Sequence, residues 1–170
     1  MPHPRALLAT LLLAACGGEA SSRAPDGPAA VPSAIDVGEG VLVEPTREGL
    51  QAFVRAGRHQ GWAHEPAPHP STGPHADVQM FFNAAYREAR RAERYPMPAG
   101  AMGVKALFSG STPSGYAVAV KVAEGDGPQT WLWWEATGDL SGGFFGIAAG
   151  ICEGCHRGSS RDRSLVTMVP

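Results

Sequence analysis

The stretch Met102 to Thr137 reads MGVKALFSGSTPSGYAVAVKVAEGDGPQTWLWWEAT. Three runs inside it, Met102 to Ser109, Gly115 to Ala123 and Gln129 to Thr137, alternate with the period of two that a pleated strand imposes. Gly/Ser/Pro and Gly-Asp-Gly turns separate them, and connections this short join antiparallel neighbours. The expected fold class is therefore α+β, mainly an antiparallel β-sheet meander with a few helices. In the second run Tyr116, Val118, Val120 and Val122 face one way and Ala117, Ala119 and Lys121 the other. In the third, Trp131 and Trp133 share a face opposite Trp134. Upstream, Asp77 to Phe82 reads as another strand, and Asn83 as the cap of an Ala- and Arg-rich helix, Ala84 to Arg94, which Pro96 and Pro98 terminate. Further upstream, Pro45 to Gly57 reads as a helix with Thr46 as N-cap and Leu50, Phe53 and Val54 at i, i+3, i+4 spacing. A loop dense in Pro and His follows it.

The chain returns after Gly142-Gly143 with Cys152-Glu153-Gly154-Cys155-His156, a C-x-x-C-H signature that reads as the attachment site of a c-type haem. A helical turn over Ile151 to Arg157 puts Cys155 and His156 three and four residues after Cys152, on its face. Both thiols can then add to the haem vinyl groups while the imidazole reaches the iron as axial ligand. The expected cofactor is one covalently attached haem c, bound by Cys152, Cys155 and His156, with His156 as the metal ligand. The competing readings are a redox-active or disulfide C-x-x-C and half of a zinc site. Zinc lacks a second Cys pair here. A thioredoxin-like pair opens a helix within a βαβ unit, a setting that this C-terminal segment lacks. The strands supply the expected haem wall and the tryptophans its aromatic contact, although core packing explains the same residues.

The third cysteine, Cys16, lies at the other end. Arg5 gives a positive n-region, Ala6 to Leu13 an apolar run too short to span a bilayer, and Leu13-Ala14-Ala15-Cys16 resembles a bacterial lipobox. Residues 1–15 are thus expected to be a lipoprotein signal peptide and Cys16 the lipidation site; ordinary signal cleavage near Ala15 is the alternative. Both export the chain, to the periplasmic side or the cell surface of a bacterial membrane. Residues 16–34 are a lipidated Cys and an Ala/Pro/Gly/Ser tether too poor in large apolar side chains to bury a core. Residues 35–170 are left for one mono-haem cytochrome domain. The net charge is −2, or −3 without Arg5, and no like-charge run is present. Nothing in it suggests nucleic acid.

The order Tyr95-Pro96, Gly103-Val104-Lys105, Ser114-Gly115-Tyr116-Ala117-Val118-Ala119-Val120-Lys121, a Trp-rich strand, the C-x-x-C-H motif, then Asp162-Arg163-Ser164-Leu165-Val166-Thr167 resembles the cytochrome P-460 family, relatives of the cytochromes c′-beta. The resemblance covers roughly residues 60–170. It implies a mainly antiparallel β fold and a high-spin haem with a vacant or water-occupied distal side. It also implies a catalytic role for Lys105, at the position where enzymatic members cross-link a lysine to the porphyrin edge. The chain has two lysines against twelve arginines, and only an amine readily becomes a nucleophile; a strand lysine that snorkels to water is the plainer reading. The distal acid of those members falls on Ala117, and Gln79 stands where an arginine is expected; Glu135 and Asp139 are nearby acids. Sixth-ligand candidates are Met80, Met97, Met102, Met168, His59, His64, His69 and His75. Two activities follow: a haem oxidoreductase of the hydroxylamine-oxidising type, or a module that binds nitric oxide or another diatomic ligand. Plain electron transfer is a third. The partners expected are the small-molecule or diatomic ligand, a periplasmic electron-transfer protein and the membrane, with room for a homodimer.

Overall fold

A computed structural model describes residues 30–167, 169 and 170. Residues 1–15, Cys16, most of the tether and Met168 lie outside the described residues. The element order is β1 (Ile35–Asp36), β2 (Leu42–Val43), α1 (Arg47–Arg55), β3 (Ala63–His64), β4 (His69–Pro70), β5 (Asp77–Phe82), α2 (Ala84–Arg91), β6 (Met102–Ser109), β7 (Thr112–Lys121), β8 (Trp131–Thr137), β9 (Phe144–Ile147) and α3 (Gly150–His156). β1 and β2 form a two-stranded ribbon; the other seven strands form one antiparallel sheet, β5 to β9 in sequence order with β3 and β4 both paired to β5. The mixed α+β class and the meander are as expected.

Local chemistry explains the boundaries. Thr46 accepts from the Gly49 amide at 3.0 Å and opens α1, which buries Leu50, Phe53 and Val54 before Gly57 turns left-handed. Asn83 accepts from the Tyr86 amide at 2.9 Å and opens α2. That helix stops at Arg91 rather than Arg94, because Glu93 takes a positive φ of 50°. β7 starts three residues earlier than the alternation suggests, and β8 two residues later, because Pro128–Thr130 form a 3₁₀ turn. The Pro/His loop is not wholly irregular: β3 and β4 are anchored on β5 within it. β9 lies in a Gly/Phe stretch whose lack of alternation carries no strand signal. Gly143, at φ 90°, lets it return, since a Cβ there would overlap the Glu135 carbonyl.

The sheet separates two apolar clusters. Val104, Val118, Val120, Leu132 and Trp134 pack with α1 and the β1–β2 ribbon. Phe82, Trp131 and Trp133 pack on the other face with Tyr86 and Ala89 of α2, Cys152 and the C-terminal Val166 and Val169. The face assignments along β7 and β8 are as the alternation predicts. The valine row, however, is filled by α1, so the face available to the C-x-x-C-H helix is that of Ala117, Ala119, Trp131 and Trp133. Among the described residues no helix is long and apolar enough to cross a membrane.

Candidate functional site

Directly paired residues of adjacent strands share a face of the sheet. One such row runs Met80, Lys105, Ala117, Glu135, Phe144 across β5 to β9, and the next runs Phe82, Gly103, Ala119, Trp133, Gly146. The centre of this face is a floor of small side chains, Gly103, Ala117, Ala119 and Gly146, rimmed by Met80, Lys105, Glu135 and Trp133. Most of it is half-buried rather than sealed.

α3 lies against this face. It spans Gly150–His156, one residue offset from the turn expected, and carries Cys152 into contact with the Trp131–Trp133 cluster. The His156 ring lies 4.5 Å from the Trp133 ring. His156 Nδ1 is 2.6 Å from the Arg163 carbonyl oxygen. A carbonyl only accepts, so Nδ1 carries the proton and donates, and Nε2 keeps its lone pair. Burial holds the His156 pKa below its usual value, against the opposing pull of that hydrogen bond, which keeps the ring neutral.

Cys152 and Cys155 are free thiols. Burial first, then the charge of Glu135, pushes the Cys152 pKa up to about 11. A redox-active C-x-x-C lowers its leading thiol's pKa instead, so this pair is poorly suited to thiol–disulfide exchange. Among the described residues no three His, Cys, Asp or Glu side chains converge as bare-metal ligands, which leaves the zinc alternative without a chelate. Two unpaired thiols a helical turn apart, and an imidazole with Nε2 free beside a floor of small side chains, are a donor set that fits a covalently attached haem.

Lys105 sits on the same face, half-buried. Burial lowers its pKa, opposed by the charges of Glu135, Glu65 and Cys152. Glu135 is two strands away, across Ala117, and forms a 3.6 Å pair with His75 Nδ1. Asp139 is elsewhere: it faces solvent, and its carboxylate accepts from the Ser141 amide and hydroxyl at 3.0 and 2.7 Å. Gln79 binds the Glu65 carbonyl at 2.7 Å and alternates away from Lys105.

The sixth-ligand candidates sort by face. Met102 and His59 are buried on the α1 side, where His59 meets Phe81 and Tyr116 in T-shaped contacts. Met97 is fully buried, with its amide on Asp162. His64 rests on Phe81 and His69 is exposed beside Glu65 at 3.0 Å. Met80 and His75 remain on the Lys105 face, by strand register and through Glu135 respectively.

Sequence reasoning gave no role to the segment after α3. Arg163 Nε reaches both Glu153 carboxylate oxygens at 2.9 and 3.0 Å, gripping one of the two residues between the cysteines. Tyr86 donates to Ser164 at 2.6 Å and Arg90 to the Val166 carbonyl at 2.5 Å, tying the segment to α2. A lysine alternating into the apolar face, Lys121, was the available signal that a buried acid must meet it. No family model, curated protein or solved structure matches this chain.

Proposed function

We propose that this chain is an exported, lipid-anchored mono-haem c-type cytochrome of the P-460 type, acting as an oxidoreductase on a small nitrogenous substrate of the hydroxylamine class. The observation that carries the reading is the shared face: α3 brings Cys152 and the oriented His156 to the side of the sheet where Lys105 and Glu135 project. Cys152 and Cys155 would hold the group as thioethers and His156 through Nε2. Haem held there would supply redox-active iron chemistry, with an exported acceptor protein as the destination of the substrate's electrons.

The chain's own residues do the rest. Trp133 packs on the His156 ring and limits its rotation. Burial of Lys105 raises the fraction of free amine, its nucleophilic form. Glu135 offers a proton acceptor on the face where Ala117 has none, with His75 Nδ1 3.6 Å from it. That acid favours turnover over the alternative, a nitric oxide binding module that needs no proton acceptor.

The test is the optical spectrum of the purified exported protein, oxidised and then dithionite-reduced, followed by hydroxylamine turnover. A broad, red-shifted reduced Soret band that Lys105→Ala abolishes is expected, with kcat falling about 100-fold in Glu135→Gln, a common size for a lost acid–base group. An unmodified high-spin spectrum that responds to nitric oxide, without turnover, would replace the enzyme by the binding module. Sharp low-spin bands would overturn both in favour of electron transfer.

A further inference from the structure

Behind α3 lies a buried ionic knot that the proposed chemistry does not use. Lys121 is fully buried; its Nζ donates to Asp162 Oδ2 at 2.7 Å and to the Gly125 carbonyl at 2.7 Å. The same carboxylate accepts from Trp131 Nε1 at 3.0 Å and from the Met97 amide at 2.7 Å. Three donors from separate parts of the chain therefore fix one side chain. A buried ion pair is weak evidence of stabilisation, since apolar replacements often serve as well; fixing register is its better-attested use.

What this pair fixes is backbone. Asp162 and Arg163 both occupy the left-handed region, at φ 49° and 64°, which L-residues rarely adopt in succession. Conformations of this kind persist only where the surroundings over-determine them. Their consequence is the direction of the Arg163 carbonyl, which meets His156 Nδ1 at 2.6 Å.

We propose that Asp162, locked by Lys121 and Trp131, is the positioning residue for His156: it holds the left-handed turn whose carbonyl selects the Nδ1–H tautomer and presents Nε2 before any haem arrives. The proposal takes from the preceding reading only the identity of what Nε2 binds; the orientation belongs to the protein alone. Partners that hold the far nitrogen of a ligating histidine tune both its geometry and its basicity. Asp162 thus acts on the iron through Arg163 and His156.

The first readout needs no haem. In the full chain carrying Cys152→Ser and Cys155→Ser, side-chain ¹⁵N NMR of His156 at a pH where the ring is neutral should find Nδ1 protonated. Asp162→Asn should lower the Nδ1–H to Nε2–H ratio at least threefold. Arg163→Ala keeps the carbonyl and the same φ requirement while removing the side-chain links to Glu153 and Asp126 and a 3.7 Å contact with Asp162, and should leave the ratio in place because Lys121, Trp131 and the Met97 amide still hold the Asp162 carboxylate. In the exported holoprotein, Asp162→Asn should shift the ferrous iron–histidine stretching band to lower frequency, because a weaker Nδ1–H bond makes a less basic ligand. An unchanged ratio in Asp162→Asn, or an equal fall in Arg163→Ala, overturns the proposal. If Asp162→Asn does not fold, Trp131→Phe removes a single donor from Asp162 and decides the matter by the same ratio, a fall supporting and no change overturning. A wild-type exported protein without haem c would sink the haem reading, while the tautomer ratio would still decide the role of Asp162.

Discussion

At the residue scale, two histidines of the same loop region have opposite fates. His75 faces Glu135 at the candidate site, whereas His59 is 1% exposed, packed between Phe81 and Tyr116, and its Nδ1 has no partner among the described residues. Burial takes the His59 pKa from its ordinary 6.5 to about 4. Above pH 6.5 both folded and unfolded chains carry it neutral, so it contributes nothing to the pH dependence there. As pH falls through that value the unfolded chain binds a proton the folded one refuses, and stability drops until about pH 4. The full loss is about 3 kcal/mol at 1.4 kcal/mol per pH unit. His59→Leu should remove it: urea unfolding at pH 7.5 and 4.5 should find the wild type losing about 2–3 kcal/mol more than the variant between the two. Equal losses would mean that His59 charges in place. Lys105 follows the same sign in the alkaline range. Its folded pKa lies below the unfolded one, so stability rises with pH across that interval and Lys105→Met should flatten the rise.

At the element scale, Asn83 shows how much one cap can join. Its Oδ1 accepts from the Tyr86 and Met102 amides at 2.9 and 3.0 Å, and its Nδ2 donates to the Val37 and Gly100 carbonyls at 2.9 and 2.7 Å. One buried amide thus starts α2, aligns the entry of β6 and ties the β1–β2 ribbon to both. Asn83→Ala should cost about 3 kcal/mol, a lost cap plus orphaned buried groups, and lower the thermal midpoint by roughly 10 °C. A loss below 1 kcal/mol would mean that water replaces these bonds freely. The cap was legible in the sequence because Asn before an Ala-rich run is a local signal; the three longer-range bonds were not, since they depend on tertiary neighbours 17 to 46 residues away. The same division runs through the site. Strand alternation placed Ala117, Ala119 and Lys121 on one face, and helical spacing grouped Cys152 with His156; that Lys105 shares the first face depends on the β6–β7 register. The valines of β7 carried no mark of which layer would cover them, so the wall was open until α1 was found against that row. The clamp after α3 was illegible for a related reason: Asp162 and Arg163 are ordinary surface residues by type, and only their left-handed backbone and the buried Lys121 give them their task.

At the scale of the whole molecule, the two ends of the chain bear on the same proposal. A c-type haem is attached outside the cytoplasmic membrane, and Leu13-Ala14-Ala15-Cys16 has the form of a lipoprotein export and anchoring signal. The proposed cofactor residues begin at Cys152, and residues 17–34, Gly, Ala, Ser and Pro for the most part, stand between the proposed lipid position and the first strand. The proposed anchor and the proposed haem face are expected to be separable. One acyl chain gives only marginal membrane binding, while the multi-chain anchor of a lipidated amino-terminal cysteine retains a protein firmly. Replacing the region up to and including Cys16 by an ordinary cleavable export signal ending in alanine should therefore move the protein from the membrane pellet to the soluble exported fraction. Its haem content and both its oxidised and reduced spectra should stay as they were. Retention in the pellet would point to a membrane contact made by the folded part, with exposed Phe144, Ile151 and Leu165 beside α3 the first residues to replace. A released protein with an altered spectrum would mean instead that the amino-terminal segment reaches the haem face, and the tether would have to be reread as part of the site.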